Sequence, residues 1–196
     1  MVRILYLYCH PLEESFHAAI RDRALAALRQ AGHDVDLLDL YADGFNPVLD
    51  AQMRRDYHDL TKNREGIEGY VRRLQAAEGL IVQFPTWCFG FPAMLKGFFD
   101  RVFGPGITFD LSDPANVKPM LTHIRHVIGI STYGRDRWRA FLVGNPPKKM
   151  ITRYLRWFVS RTARIRYLAL YHMNVATEAQ RKVFLDRVSA ELSRLT

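Results

Sequence analysis

Short unbroken apolar runs alternate along the chain with stretches in which apolar residues recur every three or four positions. Arg3–Tyr8 (RILYLY) is such a run, the pattern of a parallel strand buried on both faces. Ser15 then precedes a helix with Phe16, Ile20, Ala24, Leu25 and Leu28 on one side, and Gly32 stands where a C′ residue belongs. Asp34–Leu40 sets Val35, Leu37 and Leu38 among acids as a second strand. Asp43–Arg64 is polar and irregular, with a turn at Asn46-Pro47. Ile67–Ala77 reads as a helix and Gly79–Phe84 (GLIVQF) as the third strand. Pro85–Pro92 is a loop, and a helix opens at Pro92 or Ala93 carrying Met94, Leu95, Phe98, Phe99, Val102 and Phe103. After a long excursion over Gly104–Thr122, His126–Thr132 (HVIGIST) is the fourth strand and Trp138–Val143 a short helical piece. Lys148–Ser160 is helical, Ile165–Tyr171 is the fifth strand, and Thr177–Leu195 is a final helix with Thr177 and Gln180 in a capping box.

Five apolar strands separated by helices predict an α/β fold: a doubly wound five-stranded parallel sheet with helices on both faces. The flavodoxin-like strand order 2-1-3-4-5 follows, with its topological switch between strands one and three and ligands beyond their carboxyl ends. The loops expected there are Cys9–Ser15 and Pro85–Pro92. No repeat or polar linker interrupts 1–196, so one domain is expected. The apolar runs are far too short to span a bilayer.

Composition narrows the function classes. At 48% hydrophobic and 24% charged, the 196-residue chain is ordinarily globular. Its two cysteines, Cys9 and Cys88, lack metal-site companions and read as free thiols in a reducing, cytoplasmic compartment; no metal is expected. The net charge is +8, and seven basic residues without an acid fall between Lys148 and Arg166. Such a face attracts polyanions or anionic lipid. Met150, Ile151, Tyr154, Leu155 and Phe158 also give the segment an apolar side, so a solvated basic helix is the preferred reading. Neither a nucleic-acid partner nor stable membrane insertion is expected.

Chemistry is expected at the loops. The first (CHPLEESFH) ends at a helix start, where Ser15 caps the helix or bonds a phosphate oxygen. Backbone N–H groups of Phe16 and His17, with the rings of His10 and His17, would add donors, while Glu13 and Glu14 must point away. A plain Ser-capped turn is the simpler alternative. The loop has neither a dinucleotide fingerprint nor a P-loop. The second loop (FPTWCFGFP) crowds Trp87, Phe89 and Phe91 into five residues. A stacked flat heterocycle would explain that apolar surface, with backbone N–H groups from Thr86 to Phe89 meeting its polar edge; packing beneath the next helix or against a second subunit is the alternative. After strand four, Thr132, Tyr133 and Gly134 face the same crevice. Tyr133 is a candidate donor to a ring or quinone oxygen, and the alternative is a turn with Gly134 at positive φ.

These residues together resemble the NAD(P)H:quinone oxidoreductase family of flavodoxin-like enzymes. The resemblance rests on His10-Pro11 with Ser15-Phe16, on Phe45-Asn46-Pro47, and above all on Gln83-Phe84-Pro85 followed by Phe89 through Phe103 (FGFPAMLKGFFDRVF). It covers roughly the first two-thirds of the chain. It implies a bound FAD, with FMN as the alternative, an NADPH or NADH donor, two-electron reduction of a quinone-like acceptor and a homodimer. On that basis His10, Ser15, Phe16 and His17 would hold the flavin phosphates; Pro85, Thr86, Trp87, Cys88 and Phe89 the ring; and Thr132, Tyr133 and Gly134 its edge. His17 stands where family members often have Asn, and the family's hydride-assisting Tyr/His pair has no clear match after Thr132. Two rival classes remain: an FMN electron carrier or FMN reductase of the same fold, and a non-enzymatic polyanion-binding module. The broad apolar side of the helix from Ala93 to Phe103 is expected to meet a second subunit as well as the sheet.

Overall fold

The computed structural model describes residues 1–195. The strands of its five-stranded sheet are β1 (Arg3–Tyr8), β2 (Asp34–Asp39), β3 (Gly79–Thr86), β4 (His126–Tyr133) and β5 (Arg164–Leu170). All pair in parallel, in the order β2-β1-β3-β4-β5. The helices are α1 (Phe16–Gln30), α2 (Ala51–Asp56), α3 (Glu68–Ala76), α4 (Ala93–Val102), α5 (Arg137–Leu142), α6 (Pro146–Lys149) and α7 (Glu178–Leu192).

Successive residues of the central strands enter opposite cores, which explains the unbroken apolar runs. Ile4, Tyr6 and Tyr8 of β1 face α1 and α7, while Leu5 and Leu7 join α3 and α4 on the other face. Gly32 closes α1 as expected: it adopts φ +80 and donates to Arg29 at 3.0 Å, while His33 donates to Leu28 at 3.1 Å. Those two bonds make a Schellman motif. The Thr177–Gln180 capping box at α7 is also formed.

Several elements differ from expectation by more than a residue at one end. α2 lies inside the stretch read as irregular; it buries no residue and is started by the Asp50 side chain accepting from Met53 at 2.8 Å. Local capping without burial leaves no apolar period to read. β3 runs on through Pro85 and Thr86. Gln83 accepts from Cys9 on the β1 side, so Pro85, two residues on, turns its missing N–H to the side where β1 has already ended. Lys148–Ser160 is not a regular helix: α6 passes into a π-helical turn at Met150–Tyr154 and a tight turn at Leu155–Trp157. Of its expected apolar side, Ile151, Leu155 and Phe158 are buried, Met150 is half-buried and Tyr154 is exposed. Ile151 reaches the sheet over Gly129, where a Cβ would lie 2.9 Å from Ile151 and 2.7 Å from Tyr167. Finally, α7 stops at Leu192.

The apolar side of α4 is covered within the chain. Leu95, Phe98, Phe99, Val102 and Phe103 are all buried. Phe98 packs 5.5 Å from Phe45, and Phe103 packs 5.6 Å from Phe158. The Pro47 carbonyl presses on Gly97 so closely that a Cβ there would overlap its oxygen. Of the six apolar residues expected to meet both the sheet and a second subunit, five are covered by their own chain and Met94 is half-buried. Among the described residues, no helix is long and apolar enough to cross a membrane.

Candidate functional site

Three loops meet at the carboxyl ends of β1, β3 and β4. Trp87 of the second lies 6.3 Å from His10 of the first. A cavity of about 140 Å³ separates the second from the third, lined by Thr86, Cys88, Phe89, Tyr133, Gly134 and Arg135. It has room for the edge of a ring rather than for a whole flavin.

The first loop leads into α1. Ser15 is extended and its Oγ accepts from Ala18 at 3.1 Å, the N-cap bond that starts the helix. The N–H groups of Phe16 and His17 are then left without intrahelical acceptors at the positive end of the helix. Glu13 does not oppose them. Both its carboxylate oxygens accept from Arg21, at 2.9 and 2.8 Å. Arg21 also lies 5.0 Å over the Tyr8 ring and 3.9 Å from Asp39. Sequence reasoning requires Glu13 to point away but misses the residue that holds it; the available signal is a lone arginine two turns into an otherwise apolar helix face. The Tyr8 hydroxyl is buried here without a hydrogen-bond partner, and burial pushes its pKa up to about 12.

His17 behaves differently from expectation. Its ring points into the protein, where Nε2 lies 2.9 Å from the Thr132 hydroxyl and Nδ1 lies 3.2 Å from the Gln83 amide. The same amide donates to the His17 carbonyl at 2.6 Å, and the Gln83 side-chain carbonyl accepts from Tyr6. Gln83 must donate to Nδ1, so Nε2 carries the proton and gives it to Thr132. Burial, with His10 nearby, lowers the His17 pKa to about 3, so the ring is neutral. Only its backbone N–H remains available to a ligand. A glutamine inside the apolar run GLIVQF is the sequence signal for this network, because a buried amide needs partners. His10 stacks on His17 at 5.2 Å and accepts from Leu12 through Nδ1 at 3.2 Å, which leaves its Nε2 free. Phe16 turns toward α7, 6.4 Å from Phe184.

The second loop is a tight two-residue turn. Trp87 and Gly90 exchange backbone bonds of 3.2 and 2.8 Å, and the residues between them, Cys88 and Phe89, sit at φ 49 and 56. Positive φ at both central positions is usual for Asn-Gly; for these side chains each costs on the order of 1 kcal/mol. Trp87 is 43% exposed. Phe91 belongs to the core instead, 4.6 Å from Phe84. Thus Phe91 packs beneath the next helix, while Trp87 is left exposed. Cys88 is exposed and free; Cys9 is buried and free, with its pKa pushed up to about 12 by burial. Pro85 is buried, and the Thr86 hydroxyl bonds Ser131 at 2.9 Å.

The third loop corrects two expectations. The Tyr133 hydroxyl donates to Asn145 and contacts the Tyr167 hydroxyl, each at 2.7 Å, beneath a stacked Tyr171. Its proton is already committed inside the protein, and burial pushes its pKa up to about 12. Gly134 is not at positive φ; its lack of a Cβ makes room for Asn174, whose amide would lie 3.1 Å from one.

Comparison with known proteins agrees with this architecture. The family described by a flavodoxin-like fold matches residues 2–191. An uncharacterized NAD(P)H oxidoreductase of Escherichia coli (strain K12) is 33% identical over 108 residues, 55% of either chain. The FMN-dependent NADH:quinone oxidoreductase 1 of Bradyrhizobium diazoefficiens is 29% identical over 169 residues, 80% of this chain and 79% of that one. The solved structure of Smu.1420 from Streptococcus mutans UA159 superposes with TM-score 0.87 and 28% identity, covering 98% of this chain and 100% of that one. The chain spans about half the length of several curated relatives, including 54% of NAD(P)H dehydrogenase (quinone) 1 from Cavia porcellus. With five parallel strands in this order and these relatives, the chain belongs to the flavodoxin-like family, among the relatives of the NAD(P)H:quinone oxidoreductases.

Proposed function

We propose that the chain holds a flavin at this mouth and passes two electrons from NADH or NADPH to a quinone-like acceptor, in a cytoplasmic setting that suits its two free thiols. One observation carries the reading. The open N-terminus of α1 and the exposed Trp87 turn adjoin at one mouth, joined by the 6.3 Å approach of Trp87 to His10. The donor set fits such a group: the N–H groups of Phe16 and His17, the Ser15 hydroxyl and the His10 Nε2 suit phosphate, while Trp87 suits a flat ring. When bound, the flavin supplies the hydride chemistry. The chain orients it and keeps water from one side. The buried Tyr6–Gln83–His17–Thr132 network fixes the start of α1 against the sheet, and the Trp87–Gly90 turn closes one face. Donor and acceptor would then use the remaining face in turn. Tyr133 enters this reading as part of the wall, not as a proton donor.

Mass spectrometry of the released cofactor, combined with anaerobic absorbance, tests the proposal. FAD or FMN is expected, bleached by NADH or NADPH and restored by a quinone. A flavin that neither nicotinamide bleaches would point to the electron carrier instead, and a colourless protein would refute the site. The ordered use of one face predicts parallel double-reciprocal lines; intersecting lines would refute it. Homodimer assembly remains in the proposal on the family resemblance, since most of the apolar side of α4 is covered within the chain. Light scattering of the flavin-bound protein at micromolar concentration decides that point.

A further inference from the structure

α5 is amphipathic in the reverse sense. Its smallest apolar residue, Ala140, is the one it buries. Trp138, Phe141 and Leu142 are 63%, 67% and 63% exposed, and Val143 just beyond is 47% exposed. Positions 138, 141 and 142 share one helical face, and Trp138 stacks on Phe141 at 5.6 Å and 23°. A run of large apolar side chains held outward is uncommon on a surface that meets only water.

The rim of this patch is cationic. Arg135, Arg137, Lys148 and Lys149 are exposed, and the Lys149 ammonium would lie 3.3 Å from a Cβ on Gly144, directly after Val143. The acid that caps α5, Asp136, is held by Arg139 and lies 3.5 Å from His172, so it does not offset the rim. Arg135 also lines the cavity beside Cys88 and Phe89, which places the patch beside the candidate mouth.

We propose that this patch docks the protein reversibly on an anionic lipid surface. Trp138, Phe141, Leu142 and Val143 enter the interfacial layer, and the arginines and lysines meet the headgroups. Charge selects this occupant over a second copy of the chain. A two-fold contact through the patch would bring two copies of the same cationic rim, Arg135, Arg137, Lys148 and Lys149, into one interface. The docking itself does not depend on the flavin reading. If that reading also holds, the mouth would face a phase in which apolar quinones concentrate.

Co-sedimentation of the full chain with vesicles tests the proposal. Vesicles of phosphatidylglycerol and phosphatidylcholine in equal parts should retain the protein, and pure phosphatidylcholine should not. Phe141→Ser with Leu142→Ser should weaken retention by about tenfold or more, the change expected when apolar burial is lost. Arg137→Glu should weaken it severalfold, and raised salt should do the same. Val183→Ser, a 67% exposed position on α7, should change nothing. Circular dichroism and cofactor content guard against a folding artefact. The proposal fails if no vesicle retains the protein, if both vesicle types retain it equally, or if the Phe141/Leu142 variant binds as the parent does. It also fails if that variant turns a dimer into a monomer, which would give the patch to a second copy. Equally tight binding to duplex DNA that ignores the Phe141/Leu142 change would assign the basic rim to nucleic acid and overturn it too.

Discussion

α4 and α5 are both rich in large apolar residues, yet they use them in opposite ways. α4 lies between the sheet and the segment around Phe45 and Pro47, and every phenylalanine on it is buried. α5 leaves the end of β4, touches the protein chiefly through Ala140 and turns its aromatics outward. The difference teaches that an apolar helical face identifies something to be covered, while the strand geometry around it decides whether this chain does the covering.

The widest gap between the two helices should appear in stability. Phe98→Ala removes a fully buried ring from α4 and should cost about 3–5 kcal/mol in urea unfolding. A loss below about 1 kcal/mol would show that α4 is far less tightly packed than described. Gly97→Ala probes the same helix where it meets the backbone of Pro47. Its Cβ meets the backbone of Pro47 rather than a movable side chain, so a cost of about 1–3 kcal/mol is expected. A neutral result there would mean that the segment at Pro47 yields easily.

Polar groups show the same division between covered and open. His17 is held neutral with a pKa of about 3, against an ordinary value of 6.5. The unfolded chain therefore binds a proton that the folded one refuses between those values. Stability from this group is whole above pH 6.5 and is lost as pH falls toward 3, by about 1.4 kcal/mol per pH unit. His17→Asn should flatten that acid limb; an unaltered limb would assign it to other groups. Ser15, at the open end of the same turn, should matter less to the fold. Ser15→Ala should cost about 1 kcal/mol through the lost cap and also loosen cofactor retention. Unchanged retention would remove Ser15 from the site. The smallest effect belongs to α5, where Phe141→Ala should shift stability by no more than about 0.5 kcal/mol. A larger loss would mean that the ring is covered in solution by an element of this chain or of another copy.

Much of the fold is legible in the order of residues. Strand order, the Ser15 and Thr177 caps and the Schellman close at Gly32 depend on local backbone chemistry and on a two-sided apolar pattern, both written residue by residue. The loops carrying the candidate site are legible for the same reason, because the order of parallel strands dictates which loops meet. α2 is invisible to such reading because it buries nothing, and the strained turn at Cys88-Phe89 because it lacks the glycine that usually marks such a turn.

The direction of side chains is decided only in three dimensions. His17 and Tyr133 are the right residue types near the mouth, but Gln83, Thr132, Asn145 and Tyr167 claim their polar atoms from the inside. The partners lie between 34 and 115 positions away in the chain, Asn145 excepted at 12, so no local pattern announces them. The sequence alone determined which strands build the five-stranded sheet and which loops share the mouth, since those follow from periodicity and from strand order. The tertiary structure decided which atoms at that mouth remain unspent, because a buried hydrogen bond is satisfied by whatever the fold brings within about 3 Å, however distant along the chain.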